Sequence, residues 1–240
     1  MTGIAAFVVG GTEKEKPHVG GMKRVRSLRR IVGVLGAIGL WIGLAAAGEL
    51  PPDFTREDGR TRGNPAAPLT LIEYSDFTCG YCLKFFRETW PRLKAKYVDT
   101  GKVRFLYRDF PRGDAGLMVD AAVAARCAGE QGKYWDMHDH LFAKAGEYGA
   151  GDFPAYGRAL GLNGAAFTAC LKNAKQRAVV FHDRDEGNEI GFRGTPGFVL
   201  MRTKPSAGEK PIGIPGAFPY EVFEEEIERL LAPAPAKGKG

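Results

Sequence analysis

The chain has 240 residues, of which 44% are hydrophobic and 26% charged, enough apolar material for one packed core, which excludes a globally disordered protein. The formal net charge of +6 is concentrated near the start, because residues 1–47 hold seven Lys or Arg and two acidic residues. Residues 48–240 hold 27 basic and 26 acidic residues, and this near neutrality removes the main argument for a nucleic-acid partner.

The first 47 residues have the order of an export signal. Basic "MKRVRSLRR" at 22–30 precedes an uncharged apolar run at 31–47 that ends in Ala-Ala-Ala, as signal peptidase requires. An uncleaved membrane anchor is the alternative, since 17 apolar residues are at the short limit for spanning a bilayer. In both cases the basic flank stays inside, so the rest of the chain is expected outside the cytosol. With a signal at 22–47, Met22 becomes an alternative start to Met1, and residues 1–21 are expected to be a non-native or unstructured extension.

Two further segments are predicted to lie outside the folded domain. Residues 48–66 are rich in Pro, Gly and charge without any period, which predicts a linker. Residues 233–240 have a similar composition and predict a disordered tail. The predicted domain therefore spans residues 67–232.

The domain begins with a β-α-β pattern. Residues 69–77, "LTLIEYSDF", are β-branched and aromatic and predict a strand. Apolar residues at helical spacing over 79–98 predict a helix with a kink at Pro91, and "VRFLYRDF" at 103–110 predicts the second strand. A "CGYC" sequence therefore falls at the corner where the first strand meets the helix.

A helical block and a second group of strands follow. Helical periodicity without a strand signal extends over about 114–190 and includes a long run from Gly164 to about Ile190. Short strands are predicted at 197–201 and near 211–216, and a helix at 219–231. The order is thus β-α-β, a helical insertion, then β-β-α.

Cys79 and Cys82 form the pair in "CGYC". At a helix N-terminus the unpaired N–H groups and the helix dipole favour a thiolate, so Cys79 is the predicted nucleophile, with Cys82 as the partner that closes or resolves a disulfide. Half of a zinc site and two inert buried cysteines are the alternatives. Zinc would need two further ligands, and the remaining cysteines, Cys127 and Cys170, are isolated from each other. All four cysteines lie in the part predicted to be exported, where disulfides persist.

This order of elements resembles the DsbA-like family of thiol oxidoreductases, which has an α/β thioredoxin-like fold with an inserted all-helical subdomain. The resemblance covers about residues 67–232. Thr195-Pro196 in "FRGTPGF" resembles the family's cis-proline loop, which faces the active-site disulfide and accepts the substrate backbone. Glu73 matches the family's buried acidic residue, with the implied role of exchanging a proton with Cys82; a strand Glu facing solvent is the alternative.

The resemblance also assigns the other two cysteines. Cys127 and Cys170 resemble a non-catalytic pair that joins two helices of the inserted block in some DsbA-like subgroups. Two separate buried thiols are the alternative. His138 falls on the apolar stripe of its predicted helix, which favours a packed core histidine over a metal ligand.

The function implied by the resemblance is that of an extracytoplasmic enzyme that forms or exchanges disulfides in exported client proteins. It implies no dissociable cofactor and a membrane redox partner that reoxidises or reduces the cysteine pair. We expect the chain to be a monomer. Gly80-Tyr81 departs from the Pro-His of the strongest oxidases and resembles the centre of periplasmic disulfide isomerases. A periplasmic reductase or isomerase is therefore one alternative, and a non-enzymatic module that holds a soft metal such as Cu(I) is another.

Overall fold

The computed structural model describes residues 55–232; the predicted extension at 1–21, the predicted export segment at 22–47 and the predicted tail at 233–240 lie outside the described residues. A five-stranded mixed sheet forms the centre, in the order β1-β3-β2-β4-β5. β2 and β3 are parallel, and every other neighbouring pair is antiparallel. The strands are β1 (Thr61–Arg62), β2 (Leu69–Ser75), β3 (Val103–Asp109), β4 (Gly197–Arg202) and β5 (Ile212–Ile214).

Eight α-helices surround the sheet in the described residues. They are α1 (Gly80–Lys84), α2 (Trp90–Leu93), α3 (Leu117–Gly129), α4 (Tyr134–Ala143), α5 (Phe153–Ala159), α6 (Gly164–Leu171), α7 (Ala174–Ile190) and α8 (Tyr220–Leu231). Within residues 55–232, none of the helices combines the length and the apolar character needed to cross a membrane. The predicted thioredoxin-like α/β fold with a helical insertion is confirmed, with α3 to α7 inserted between β3 and β4.

The two central strands are buried along their whole length, as their β-branched and aromatic composition favours. Alternation places Leu69, Leu71 and Glu73 on one face of β2, and the two leucines pack there with Phe85 and Phe223. This face therefore lies against the helix that begins at the "CGYC" corner and against α8.

The helical stretch after β2 is continuous from 80 to 98 but not uniformly α-helical. π-Helical turns at Phe85–Thr89 and Lys94–Val98 follow α1 and α2. Pro91 lies in the first turn of α2, directly after the first π-turn. The predicted kink therefore coincides with a change of helical pitch, where a missing proline N–H costs least.

The long helical run predicted from Gly164 to about Ile190 is wrong, because the chain breaks between α6 and α7. The Asn173 side chain accepts a hydrogen bond from the Lys175 N–H and starts α7 as an N-cap. Asn163 starts α6 in the same way, bonding the N–H of Ala166.

The linker predicted at 48–66 needs correction over its described part. Thr61–Arg62 forms β1, an edge strand antiparallel to β3, and the Arg60 side chain is buried. Its Nη1 donates to Asp183 Oδ2 of α7 at 2.5 Å. Composition indicated a solvated segment, whereas two backbone pairings and a buried ion pair hold it to the domain.

Arg60 belongs to a buried ion cluster between the chain entry, β3, α3 and α7. Asp183 Oδ2 also accepts from Arg126 Nη2 at 2.5 Å and from the Asp109 backbone N–H at 2.9 Å. Arg126 Nε reaches Asp109 Oδ2 at 2.5 Å, and Arg56 bonds the other oxygen of Asp183. We call these five residues, Arg56, Arg60, Asp109, Arg126 and Asp183, the Asp183 cluster.

Candidate active site

A buried aspartate shapes the turn between β2 and α1. Asp76 Oδ1 accepts hydrogen bonds from both the N–H and the hydroxyl of Thr78, each at 2.7 Å. The Asp76 carbonyl accepts from the Cys79 N–H at 3.0 Å. This turn leaves Cys79 in an extended conformation as the N-cap residue of α1, where the backbone N–H groups of Tyr81 and Cys82 contribute to lowering the pKa of its thiol. Sequence reasoning missed Asp76, although an Asp two residues before Thr-Cys is a recognisable turn signal.

The two cysteines of the pair are free thiols in very different environments. Cys79 is 4% exposed and Cys82 is fully buried. A hydrogen bond from the Cys82 side chain, aided by Thr195 and by backbone N–H groups of α1, lowers the pKa of Cys79 to about 5. Burial raises the pKa of Cys82 well above its ordinary value, and its position against Cys79 adds to the effect. At neutral pH the pair thus holds one thiolate and one thiol.

The Thr195-Pro196 peptide bond is cis, and its loop lies directly against the nucleophile. The Cys79 thiol donates to the Thr195 carbonyl over 3.5 Å. The Thr195 hydroxyl is buried with no hydrogen-bond partner among residues 55–232, and its position near the sulfur contributes to the low pKa of the Cys79 thiol. Thr195 therefore offers an acceptor to the thiol and a donor to the thiolate.

Glu73 is a buried residue of β2, and its side chain lies on the face of the sheet that carries the cysteine helix. It is paired in register with Tyr107 of β3 and is 3% exposed, which removes the solvent-facing alternative. Burial, opposed by Ser75 and reinforced by the Cys79 charge, raises the pKa of Glu73 to about 8. The Glu73 charge also contributes to raising the pKa of Cys82, so Glu73 lies close enough to affect the protonation of that thiol.

Two hydroxyls that sequence reasoning missed lie around Glu73. The Ser75 and Tyr107 oxygens are buried and, like Glu73 Oε1, have no hydrogen-bond partner in the described part of the chain. All three side chains are on the face of the sheet that carries the cysteine helix. The alternation of β2 and β3 could have indicated this shared face, but not that it is buried.

An apolar groove with a volume of about 580 Å³ borders the cysteine pair. Within residues 55–232, the large hydrophobic side chains that remain exposed are Tyr81 at 69% and Phe218 at 40%, and both line this groove. Thr195 and Pro196 form part of its wall. Exposed aromatic residues gathered at one groove mark a binding surface. The complete lining is Tyr81, Gly191, Phe192, Arg193, Gly194, Thr195, Pro196, Pro215, Gly216, Ala217, Phe218 and Pro219.

The other two cysteines lie apart from this corner. A disulfide joins Cys127 of α3 to Cys170 of α6 across a sequence separation of 43, within the helical insertion. His138 is buried among aromatic rings, with Nδ1 2.9 Å from Asp139 Oδ1. No group of three His, Cys, Asp or Glu residues in the described ranges could hold a metal ion.

Replacing Glu73 by Gln should change the pH dependence of stability. The folded protein keeps the Glu73 proton up to a pKa of about 8, whereas the unfolded chain releases it near 4.5, so stability present at low pH is lost as the pH rises between these values. The loss is about 1.4 kcal/mol per unit of pKa difference. The free energy of unfolding of the reduced proteins is measured with denaturant at about pH 4 and at about pH 8. From the lower to the higher pH, the wild type should lose a few kcal/mol that Glu73→Gln does not lose.

Glu225→Gln is the matched control for this measurement, since Glu225 is exposed on α8. It should show no such gain between the two pH values. If the free energy of unfolding of Glu73→Gln also ran parallel to that of the wild type, Glu73 would not be a buried acid that keeps its proton.

The mixed sheet, the helical insertion and the cysteine pair at a helix start beside a cis-proline define a thioredoxin-like dithiol protein with the DsbA arrangement. The chain belongs to the thioredoxin family, because the family model described as thioredoxin matches residues 55–207. The solved structure of α-DsbA1 from Wolbachia pipientis superposes with a TM-score of 0.64 at 24% identity, covering 71% of this chain and 89% of that one. At this identity the likeness concerns the fold.

Curated proteins are similar in sequence to part of this chain. A protein named putative protein-disulfide oxidoreductase RC0029 of Rickettsia conorii is 27% identical over 144 residues, 58% of this chain and 51% of that protein. A protein named Na(+)/H(+) antiporter NhaA 1 of Salinispora arenicola is 32% identical over 152 residues, 63% of this chain. The match covers 22% of that antiporter, so the chain spans between about a quarter and a half of these relatives.

Proposed function

We propose that this chain is an extracytoplasmic thiol:disulfide oxidoreductase that forms disulfides in exported proteins through Cys79 and Cys82. The observation that carries the proposal is the asymmetry of the pair: a stabilised thiolate at the start of α1 beside a buried thiol of raised pKa. The name of the Rickettsia relative and the DsbA-like fold support the same activity.

The reaction begins with the oxidised pair. A client thiolate attacks the Cys79 sulfur, forming a client–Cys79 disulfide and releasing Cys82 as the leaving sulfur. A second client thiolate then attacks the client sulfur of this mixed disulfide and releases Cys79 as a thiolate. The client loses two electrons and the pair gains two. The Cys79 environment favours this direction, because stabilising its thiolate stabilises the reduced form and makes the oxidised form a stronger oxidant.

Buried and loop residues support both steps. Glu73, with a pKa of about 8, supplies a proton to Cys82 when that sulfur leaves and accepts it again on reoxidation. The cis Thr195-Pro196 loop holds the client backbone beside Cys79, and the Thr195 hydroxyl stabilises the departing thiolate. Both roles agree with the position of these groups around the two sulfurs.

The proposal includes a place and a redox partner. The basic and apolar order of residues 22–47 supports export by a cleaved signal or a membrane anchor. Each turnover leaves a reduced pair, so a membrane component of the quinone-linked kind must accept its electrons. A reductase or isomerase would instead receive electrons from the membrane, and the low pKa of Cys79 weighs against that direction.

Alkylation of the reduced protein against pH tests the asymmetry directly. We expect the rate at Cys79 to rise with a midpoint near pH 5, as its pKa of about 5 requires, while Cys82 stays unreactive through neutral pH. Peptide mapping by mass spectrometry assigns the modified sulfur. Equal rates at the two cysteines would contradict the nucleophile assignment.

A further inference from the structure

Among the described residues that line the groove, the one that carries a charge is Arg193. It lies in the loop between α7 and the cis-proline, two positions before Thr195, and its side chain is exposed. A single cation in an otherwise apolar groove beside the reactive sulfur is a feature that the exchange chemistry itself does not need.

The guanidinium of Arg193 is held in place by carbonyls rather than by acids. Its Nη1 donates to the carbonyls of Asn188 at 2.9 Å and Phe192 at 2.8 Å, both near the end of α7. No carboxylate among residues 55–232 lies within ion-pair distance of it. One nitrogen of the guanidinium is thus fixed, and the group forms no ion pair in this part of the chain.

We propose that Arg193 selects client segments that carry an aspartate or glutamate close to the reacting cysteine. The inference rests on the proposed function, because the groove then receives the client. Charge complementarity carries it: an oriented guanidinium offers its remaining donors as a planar fork, the geometry that suits a carboxylate. The preferred client is an extended, mainly apolar segment with one acidic side chain.

The spacing gives an approximate position for that acid. An extended chain advances about 3.3 Å per residue, and Arg193 precedes Thr195 by two residues. With the client cysteine at Cys79 beside the Thr195 carbonyl, the acidic residue falls within about three residues of that cysteine.

Matched peptides test the inference. Each contains two cysteines in an apolar segment, with Glu or its isostere Gln placed in turn within three residues of the first cysteine. The rate at which the oxidised protein oxidises them is measured by stopped flow. We expect the Glu peptide to react about 3-fold faster at its best position, the size of an exposed ion pair, and the ratio to fall towards 1 in high salt.

Variants distinguish an effect of Arg193 from an effect of the overall positive charge of the protein. Arg193→Gln should bring the Glu/Gln ratio to about 1, and Arg193→Lys should restore part of it. Arg158→Gln removes the same charge from an exposed position on α5, in the helical insertion, and should keep the full ratio. A ratio near 1 in the wild type, or an unchanged ratio in Arg193→Gln, would overturn the selection by Arg193.

A binding measurement distinguishes failure of this inference from failure of the proposed function. Peptides with both cysteines replaced by Ser cannot react, so their affinity reports the groove alone. The Glu peptide should bind about 3-fold tighter than the Gln peptide, and Arg193→Gln should remove the difference. Absence of any peptide oxidation would overturn the proposed function, whereas equal affinities would overturn the role of Arg193.

Discussion

Cys79→Ser protein should lose all measurable thiol–disulfide exchange, with client oxidation falling to the uncatalysed rate. Serine keeps the size and position of the side chain, but it can neither form the Cys79–Cys82 disulfide nor carry the client as a mixed disulfide. The measurement is oxidation of a dithiol peptide or a reduced secreted protein. Cys82→Ser should differ, because Cys79 remains and can still be captured with a client as a stable mixed disulfide.

Cys127→Ser is the control, because it removes a cysteine that lies outside the active-site corner. The Cys127–Cys170 bridge closes a loop of sequence separation 43, and its loss should cost up to about 4 kcal/mol in the loop-entropy model. The variant should therefore melt at a lower temperature while it still oxidises clients below that temperature. Loss of exchange in a folded Cys127→Ser protein would instead make the second pair part of an electron relay.

Asp183→Asn should destabilise the domain by about 3 to 5 kcal/mol, the cost of breaking a buried ion pair from one side. Burial by itself would raise the pKa of the Asp183 carboxyl, but the charges of Arg60 and Arg126 hold this pKa well below its usual range. An amide cannot neutralise these guanidinium groups, which are themselves buried. Denaturant unfolding monitored by circular dichroism measures the loss.

Asp185→Asn, two residues further along α7, is the matched control. Its carboxylate is 67% exposed and lies 3.9 Å from Arg184 Nε, an arrangement worth at most about 1 kcal/mol. If Asp183→Asn were no more destabilising than this control, the Asp183 cluster would contribute little to holding the chain entry and α7 to the sheet.

Local patterns were sufficient to predict the elements around the cysteine pair. β2, the helix after it and β3 follow from residue type and period, and Cys79 stands out because a C-x-x-C spacing at a strand-to-helix corner has a specific chemistry. Thr195-Pro196 was informative through its place in the order of elements. These signals are carried by residues that are neighbours in sequence.

Features that depend on distant residues could not be predicted in this way. Arg60 is buried because it meets Asp183, 123 residues away, so its own surroundings in sequence indicated only a charged linker. The groove likewise combines Tyr81 with Phe218, which are remote in the chain. The break before α7, in contrast, could have been predicted from local sequence, because Asn173 is an N-cap residue. Helical periodicity alone does not detect such a signal.

The low solvent exposure of the two sulfurs has a consequence for when the proposed reaction can take place. With 4% exposure at Cys79 and none at Cys82, we expect a client in the proposed reaction to present its cysteine on an extended segment that lies in the groove. A nascent chain offers such segments, and a compact client does not. Under the proposed function, folding of the client would compete with its entry into the groove, so we expect oxidation to take place before a client has folded.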